Sequence, residues 1–164
     1  MSPREQLPLP SPAEVEAELL RSPFHRWLGL RVTDVTRESV TIEVEAREEF
    51  IADVDAGYVH GGILATLLDL AADWALVGAI GTGVPTIDFS ISYLRAAHPG
   101  TLTVTGRAVR PGRQVSHAEA EVRDADGRLL AVGRGSFLSS AAEQARAAAE
   151  ARRGDASPDQ DARA

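Results

Sequence analysis

The sequence of 164 residues contains no cysteine, which excludes disulfide bonds and thiolate metal ligands. It also lacks lysine, so all 17 basic residues are arginine. The histidines are scattered without the spacing of metal ligands, and we expect no metal site; they are His25, His60, His98 and His117. The net charge of −7 disfavours nucleic acid as a partner.

The two ends of the chain differ in composition from its centre. Residues 1–12 contain four prolines and lack the apolar core of a signal peptide, so we expect a disordered N-terminal tail and a cytoplasmic protein. Residues 141–164 are rich in alanine, arginine and glutamate and are predicted to form a second tail, partly helical or disordered. Residues 13–140 remain as one domain.

The longest apolar segment runs from Gly61 to Ile80 and is bounded by glycines, which is typical of helix ends. It is rich in leucine and alanine and lacks proline, so we predict one helix over the whole segment. Because the segment is apolar on nearly every face, the helix should be buried. Two carboxylates near its middle, Asp69 and Asp73, would be unfavourable in lipid, so we expect no membrane partner.

These two carboxylates are candidates for a functional site. They are four residues apart and therefore share one face of the predicted helix. Burial and mutual repulsion should raise the pKa of at least one of them, as happens at many functional sites. Asp73 also has a second interpretation, as a solvent-facing residue or one that a partner subunit caps.

The sequence at the start of the helix, His60, Gly61 and Gly62, predicts a site for a developing negative charge. The first N–H groups of a helix have no acceptor inside it, and glycines let a substrate approach the backbone closely. Asp69 lies about 13 Å further along the same axis, so one chain does not bring both groups to one reacting carbon. A second copy, antiparallel across a two-fold axis, would do so. His60 has a second interpretation as a helix cap.

The alternation of apolar and polar residues predicts a sheet of about six strands, linked by short turns such as Asp124 to Gly127. These links favour an antiparallel meander, whereas residues 50–59 are predicted to be a loop. The sheet must bury its apolar face, and the long helix is the large apolar object available. We therefore predict an α+β domain in which the sheet wraps the helix. The predicted strands are 30–35, 40–46, 85–94, 101–110, 114–123 and 128–138.

Two motifs together resemble a known family. A His-Gly-Gly sequence at residues 60–62 is followed by Asp69, nine positions after the histidine, and the strand motif PTIDFSISYL occupies residues 85–94. The combination resembles the hotdog-fold acyl-CoA thioesterases, and among them the phenylacetate-pathway, PaaI-like subgroup. Further similarities extend the resemblance over residues 22–139; they lie at Pro23, Phe24, Leu28, Gly29, Gly112 and Arg113.

The resemblance implies hydrolysis of an acyl-CoA or aryl-acyl-CoA thioester at the interface of a homodimer or homotetramer. Coenzyme A is then part of the substrate, and no separate cofactor is implied. By position, Asp69 matches the catalytic general base or nucleophile and Gly61 the oxyanion donor. His60 matches a residue that supports the loop or the thioester carbonyl, and Thr86 one that holds the attacking water. The alternation of its strand, however, places Thr86 on the face away from the helix.

The chain departs from the subgroup at Val54, where an asparagine is usual, and Asp55 beside it is the candidate replacement. Arginines at strand ends and turns are candidates to bind the phosphates of coenzyme A, because arginine forms bidentate phosphate contacts. The predicted substrate-binding residues are Gly62, Asp55, Asp73, Arg110 and Arg113, with Arg95 and Arg134 as further arginines within reach. Trp74, Phe50 and Tyr58 are candidate walls of the acyl pocket.

Two alternatives stay open at this level. A non-catalytic acyl-CoA binder or sensor with the same fold would share the acyl-CoA site without hydrolysis. A hotdog dehydratase or hydratase would use a histidine and an acid in a different motif from the one at residues 60–69.

Overall fold

The computed structural model describes residues 8–142, so the predictions for residues 1–7 and 143–164 of the two tails lie outside the described residues. Four α-helices lie entirely within this part of the chain: α1 Pro12–Leu19, α2 Pro23–Leu28, α3 Gly61–Trp74 and α4 Val77–Ile80. It contains eight strands: β1 Arg31–Val35, β2 Ser39–Ala46, β3 Ile51–Asp53, β4 Tyr58–Val59, β5 Thr86–Tyr93, β6 Gly100–Arg110, β7 Val115–Arg123 and β8 Leu129–Leu138.

Six of the strands form one antiparallel sheet in the order β1-β2-β6-β7-β8-β5. Helix α3 lies across this sheet, where it contacts β2, β5, β6, β7 and β8. The residues of β2 that alternation assigns to the apolar face are all buried; they are Val40, Ile42, Val44 and Ala46. The predicted α+β architecture, a sheet of six strands around one central helix, is confirmed.

The central helix approaches the sheet closely at Gly106 of β6. A Cβ atom at this position would lie 1.9 Å from the carbonyl oxygen of Ala71 on α3, well inside van der Waals contact. Glycine therefore lets the helix backbone rest on the strand backbone. This contact holds the middle of α3, and with it the carboxylates at positions 69 and 73, at a fixed height above the sheet.

The apolar segment is long enough and apolar enough to cross a membrane by composition, but more than half of it is buried inside the domain. It is not one helix. Helix α3 ends at Trp74, and α4 begins at Val77 after a turn. Gly78 then packs on the turn between β1 and β2, where a Cβ atom would lie 2.7 Å from the carbonyl oxygen of Arg37. The turn redirects the chain toward this contact.

Two further predictions of the sequence are corrected. Residues 50–59 do not form a loop throughout, because β3 and β4 pair as a two-stranded hairpin. Strand β5 pairs with β8 at the edge of the sheet and not with β6, the next strand in the chain. The link between β5 and β6 contacts β4, where the Val59 N–H donates to the carbonyl oxygen of Ala97 at 2.8 Å.

Replacement of Gly106 by valine should destabilise the protein by about 3 kcal/mol or more, because the branched side chain forces α3 off the sheet. Urea denaturation followed by circular dichroism measures the change. Thr105→Val on the same strand is the matched control and should change the free energy of unfolding by less than about 1 kcal/mol. A Gly106→Val protein as stable as the control would contradict the close contact.

Candidate active site

His60 caps the start of α3. Its Nδ1 atom accepts a hydrogen bond from the Gly62 N–H at 2.8 Å. A Cβ atom at Gly62 would lie 2.9 Å from the same Nδ1 atom, so the cap requires glycine at this position. Because Nδ1 acts as the acceptor, a neutral His60 ring carries its proton on Nε2. The structure thus gives His60 the capping role that one of the two interpretations assigned to it.

Tyr93 holds the peptide that follows Gly61. Its hydroxyl group donates to the Gly61 carbonyl oxygen at 3.0 Å. Its ring covers the same residue, since a Cβ atom at Gly61 would lie 3.3 Å from the Tyr93 Cε1 atom. The Gly61 N–H is the first of the helix and has no intrahelical acceptor. Tyr93 is not among the residues predicted from the sequence, because alternation assigns it simply to the apolar face. Its phenolic hydroxyl at a strand end was the available signal.

Asp69 and Thr86 are hydrogen-bonded. The Thr86 hydroxyl donates to Asp69 Oδ1 at 2.8 Å, and the carboxyl group is half-buried. Burial raises the pKa of Asp69 above its ordinary value, and the hydrogen bond from Thr86 opposes part of that rise. The result is a carboxylate that is oriented by a hydroxyl and is more basic than a free aspartate.

Thr86 reaches Asp69 because β5 is irregular at its start. The register with β8 shifts between Thr86 and Asp88, so one extra residue, Ile87, is accommodated there. Thr86 is paired with Phe137, which is fully buried and faces the helix. The alternation that placed Thr86 on the outer face is therefore wrong at this position. Ile87, which the same alternation places on the opposite face from Thr86, is 54% exposed.

Asp73 contacts the loop that leads into β5. Its Oδ1 atom accepts a hydrogen bond from the Val84 N–H at 2.5 Å. Burial raises the pKa of Asp73 from 3.8 to about 7; the bond from Val84 opposes this rise, and the negative charge of Asp69 adds to it. The predicted raised pKa on this helix face is therefore found at both carboxyl groups, and most strongly at Asp73.

The raised pKa of Asp73 predicts a pH-dependent stability. The folded state holds this proton more tightly than the unfolded chain. The contribution of Asp73 to the free energy of unfolding is therefore fully present below about pH 4 and is lost as the pH rises toward 7. Asp73→Asn removes the titration. As the pH rises through this window, the wild type should therefore lose stability relative to the variant. The difference between their free energies of unfolding should change by up to about 1.4 kcal/mol per pH unit.

Urea denaturation between about pH 5 and 8 measures the difference between the two proteins. Asp55→Asn, at an exposed position, is the matched control for loss of one carboxylate. If the difference in free energy of unfolding between Asp73→Asn and the wild type stays constant across this range, burial does not raise the pKa of Asp73.

The remaining predicted residues lie apart from this helix. Asp55 is exposed in the β3–β4 turn, where its N–H donates to Asp53 Oδ1 at 3.0 Å. Arg110 and Arg113 line a surface cavity of about 570 Å³ at the β6–β7 turn. Among residues 8–142, no cluster of three or more histidine, aspartate and glutamate side chains has the arrangement of a metal site.

An apolar groove of about 400 Å³ adjoins Gly61. Its lining includes Tyr58, Val59, Leu64, Tyr93 and Leu94. Of the three aromatic residues considered as walls of an acyl pocket, only Tyr58 lines this groove. Phe50 is 1% exposed beneath Trp27 and Arg47, and Trp74 is buried.

The polar groups form two half-sites at opposite ends of β5. Asp69 and Thr86 constitute the first, and Gly61 and Tyr93 the second. Thr86 and Tyr93 are seven positions apart along extended chain, which corresponds to roughly 23 Å. The half-sites therefore do not meet within one chain.

Comparison with known proteins places this chain in a family. Residues 56–131 match the family model of the thioesterase superfamily. A protein of Halobacterium salinarum, named provisionally as an esterase, is 37% identical over 122 residues, which are 68% of this chain and 80% of that protein. Acyl-coenzyme A thioesterase 13 of Pongo abelii is 30% identical over 118 residues, 68% of this chain and 81% of that protein.

The chain belongs to the thioesterase superfamily. A crystal structure of another member is 38% identical and superposes with a TM-score of 0.75, covering 77% of this chain and 96% of that one. The fold is the hotdog fold that the sequence motifs imply. The Escherichia coli PaaI protein from the phenylacetic acid degradation operon has the same fold, with a TM-score of 0.68 at 22% identity over 75% of this chain and 88% of that one.

Proposed function

We propose that this protein is an acyl-CoA thioesterase of the PaaI-like type, which hydrolyses an acyl- or aryl-acyl-CoA to the free acid and coenzyme A. The observation that carries the proposal is the half-buried Asp69 carboxyl group, oriented by the Thr86 hydroxyl at 2.8 Å. Membership of the thioesterase superfamily supports the reaction class, and the family includes relatives named as acyl-CoA thioesterases.

The complete site forms between two copies of the chain. Strand β5 lies at the edge of the sheet, and it exposes the apolar residues Ile87 and Tyr93, with Leu94 exposed directly after it. An unpaired edge with such residues favours pairing with another strand. Antiparallel pairing of two β5 strands about a two-fold axis sets the Thr86 end of one against the Tyr93 end of the other. Each dimer then has two sites, with Asp69 from one subunit and Gly61 from the other.

In each such site the groups have complementary tasks. Asp69 accepts a proton from water, whose oxygen attacks the thioester carbonyl carbon while the carbonyl π electrons move onto oxygen. The Gly61 N–H stabilises the resulting oxyanion, a contribution of about 3 kcal/mol for a typical donor. The intermediate then collapses, the carbon–sulfur bond breaks, and the thiolate of coenzyme A leaves and is protonated. Direct attack by Asp69, with an anhydride that water then cleaves, is the alternative covalent route.

Three other predicted residues have supporting tasks in the proposal. His60 fixes the first turn of α3 through its bond to Gly62 and keeps the Gly61 N–H directed outward. The cavity at Arg110 and Arg113 offers guanidinium groups to the phosphates of coenzyme A, which a net negative protein needs locally. The apolar groove beside Gly61 is the candidate acyl or pantetheine channel.

A thiol-release assay with several acyl-CoAs tests the proposed reaction. Asp69→Asn should lower kcat by roughly 10²- to 10⁴-fold, because the amide still accepts the bond from Thr86 but acts neither as a base nor as a nucleophile. Binding of acyl-CoA and the free energy of unfolding should stay near those of the wild type. Asp34→Asn, at an exposed position of β1, serves as the control for loss of one carboxylate.

Two outcomes would overturn this assignment. Near-full activity of Asp69→Asn would remove Asp69 from the reaction. Binding of acyl-CoA by the wild type without release of thiol would indicate the non-catalytic binder.

The shared site predicts complementation between two inactive variants. Asp69→Asn removes the base, and Gly61→Val obstructs the oxyanion position and displaces the Tyr93 ring, which already lies 3.3 Å from a Cβ atom there. A mixed dimer contains one site with both defects and one intact site. Random reassortment gives about half mixed dimers, so roughly a quarter of wild-type activity should return.

Co-expression with two affinity tags isolates the mixed dimers, which carry one intact site in two and should therefore have about half of wild-type activity. Each homodimer serves as a control. Verified mixed dimers that stay inactive would show that Asp69 and Gly61 do not act across the interface.

A further inference from the structure

The loop between α4 and β5 is fixed at two successive residues immediately before Thr86. The Val84 N–H donates to Asp73 Oδ1 at 2.5 Å, which ties the loop to the central helix. The Pro85 carbonyl oxygen accepts from the Leu138 N–H at 2.8 Å, which ties it to β8. The chain directly before Thr86 is therefore held by two hydrogen bonds, one to the central helix and one to the sheet.

The helix anchor is also a packing contact. A Cβ atom at Gly83 would lie 2.7 Å from Asp73 Oδ2 and 3.2 Å from Trp74 Nε1, so the loop backbone rests directly on the end of α3. Val84 is 5% exposed, and its N–H has the Asp73 carboxyl group as its acceptor. A buried N–H without an acceptor is strongly unfavourable, so the carboxyl group and the loop position depend on each other.

Thr86 depends on this anchor more than a residue in a central strand would. Strand β5 has β8 as its single neighbour within the described residues. The register shift between Thr86 and Asp88 also interrupts the ladder next to Thr86. The direction of the Thr86 side chain toward Asp69 is therefore set by the loop that precedes it and by one strand partner.

We propose that Asp73 is a positioning residue, which fixes the Val84 backbone and through it places the Thr86 hydroxyl on the Asp69 carboxylate. This role rests on the proposed thioesterase function. It differs from the substrate-binding role predicted for Asp73, because the carboxyl group acts on the loop and not on the ligand. The role needs an acceptor atom at the Oδ1 position and no negative charge, so asparagine should fulfil it.

Kinetic measurements on Asp73→Ala and Asp73→Asn separate positioning from charge. Asp73→Ala should lower kcat by about tenfold or more with KM within about twofold, since small misplacements of reacting groups have effects of this size. Asp73→Asn should restore most of kcat. Val44→Ala, a buried truncation in β2, controls for general loss of stability and should leave kcat unchanged.

A double-mutant cycle tests whether Asp73 acts through Thr86. In a Thr86→Val background, which lacks the hydroxyl, Asp73→Ala should reduce kcat by much less than it does in the wild type. Full additivity of the two changes would overturn the proposal. Equal loss of kcat in Asp73→Asn and Asp73→Ala would also overturn it, since charge would then be the property that matters.

Two measurements that need no enzymatic activity distinguish failure of this role from failure of the proposed function. Amide hydrogen exchange at Val84 should be fast in Asp73→Ala and protected in Asp73→Asn and the wild type. The pKa of Asp69, followed by carboxyl carbon NMR, should be higher in Asp73→Ala than in Asp73→Asn, because the bond from Thr86 lowers it. Identical exchange and identical pKa values in the two variants would refute the anchor whether or not the protein hydrolyses acyl-CoA.

Discussion

Two carboxyl groups lie on one buried helix, and their loss of hydration is unfavourable unless the surrounding structure supplies hydrogen-bond donors. Each group requires a donor. The hydroxyl that α3 carries on that face, at Thr66, donates instead to the Gly62 carbonyl oxygen. The donors come from outside the helix: a hydroxyl at the start of β5 for Asp69 and a backbone N–H in the preceding loop for Asp73. Both come from one short stretch of chain, so satisfying the carboxyl groups also fixes where β5 begins.

The local features of the site were predictable from the sequence because they depend on neighbours in the chain. The glycines at the helix start, the cap by His60 and the shared face of Asp69 and Asp73 all follow from helix geometry. The strands of the sheet and its wrapping of α3 also follow, since apolar alternation and one long apolar segment have few packing solutions.

What the sequence did not predict depends on contacts that are distant along the chain. Strict alternation directed Thr86 away from the helix, and a one-residue bulge reverses that direction. No periodic pattern in the sequence marks the end of α3 at Trp74 or the contact of Gly78 with the β1–β2 turn. Tyr93 and Asp73 form hydrogen bonds with backbone atoms. Nearly every residue type has these atoms, so the sequence does not indicate which residue supplies them.

The placement of the two half-sites at opposite ends of one edge strand has a consequence for the proposed dimer. In a two-fold antiparallel pair the register of β5 against its copy decides whether the half-sites face each other. A slip of one residue would turn every side chain to the other face of the sheet. The bulge at Ile87 and the loop anchor at Val84 both act at the end of the strand where such a slip would separate Thr86 from the partner's Gly61. In the proposed dimer, the elements that orient Asp69 within one chain would therefore also set its distance from Gly61 of the partner subunit.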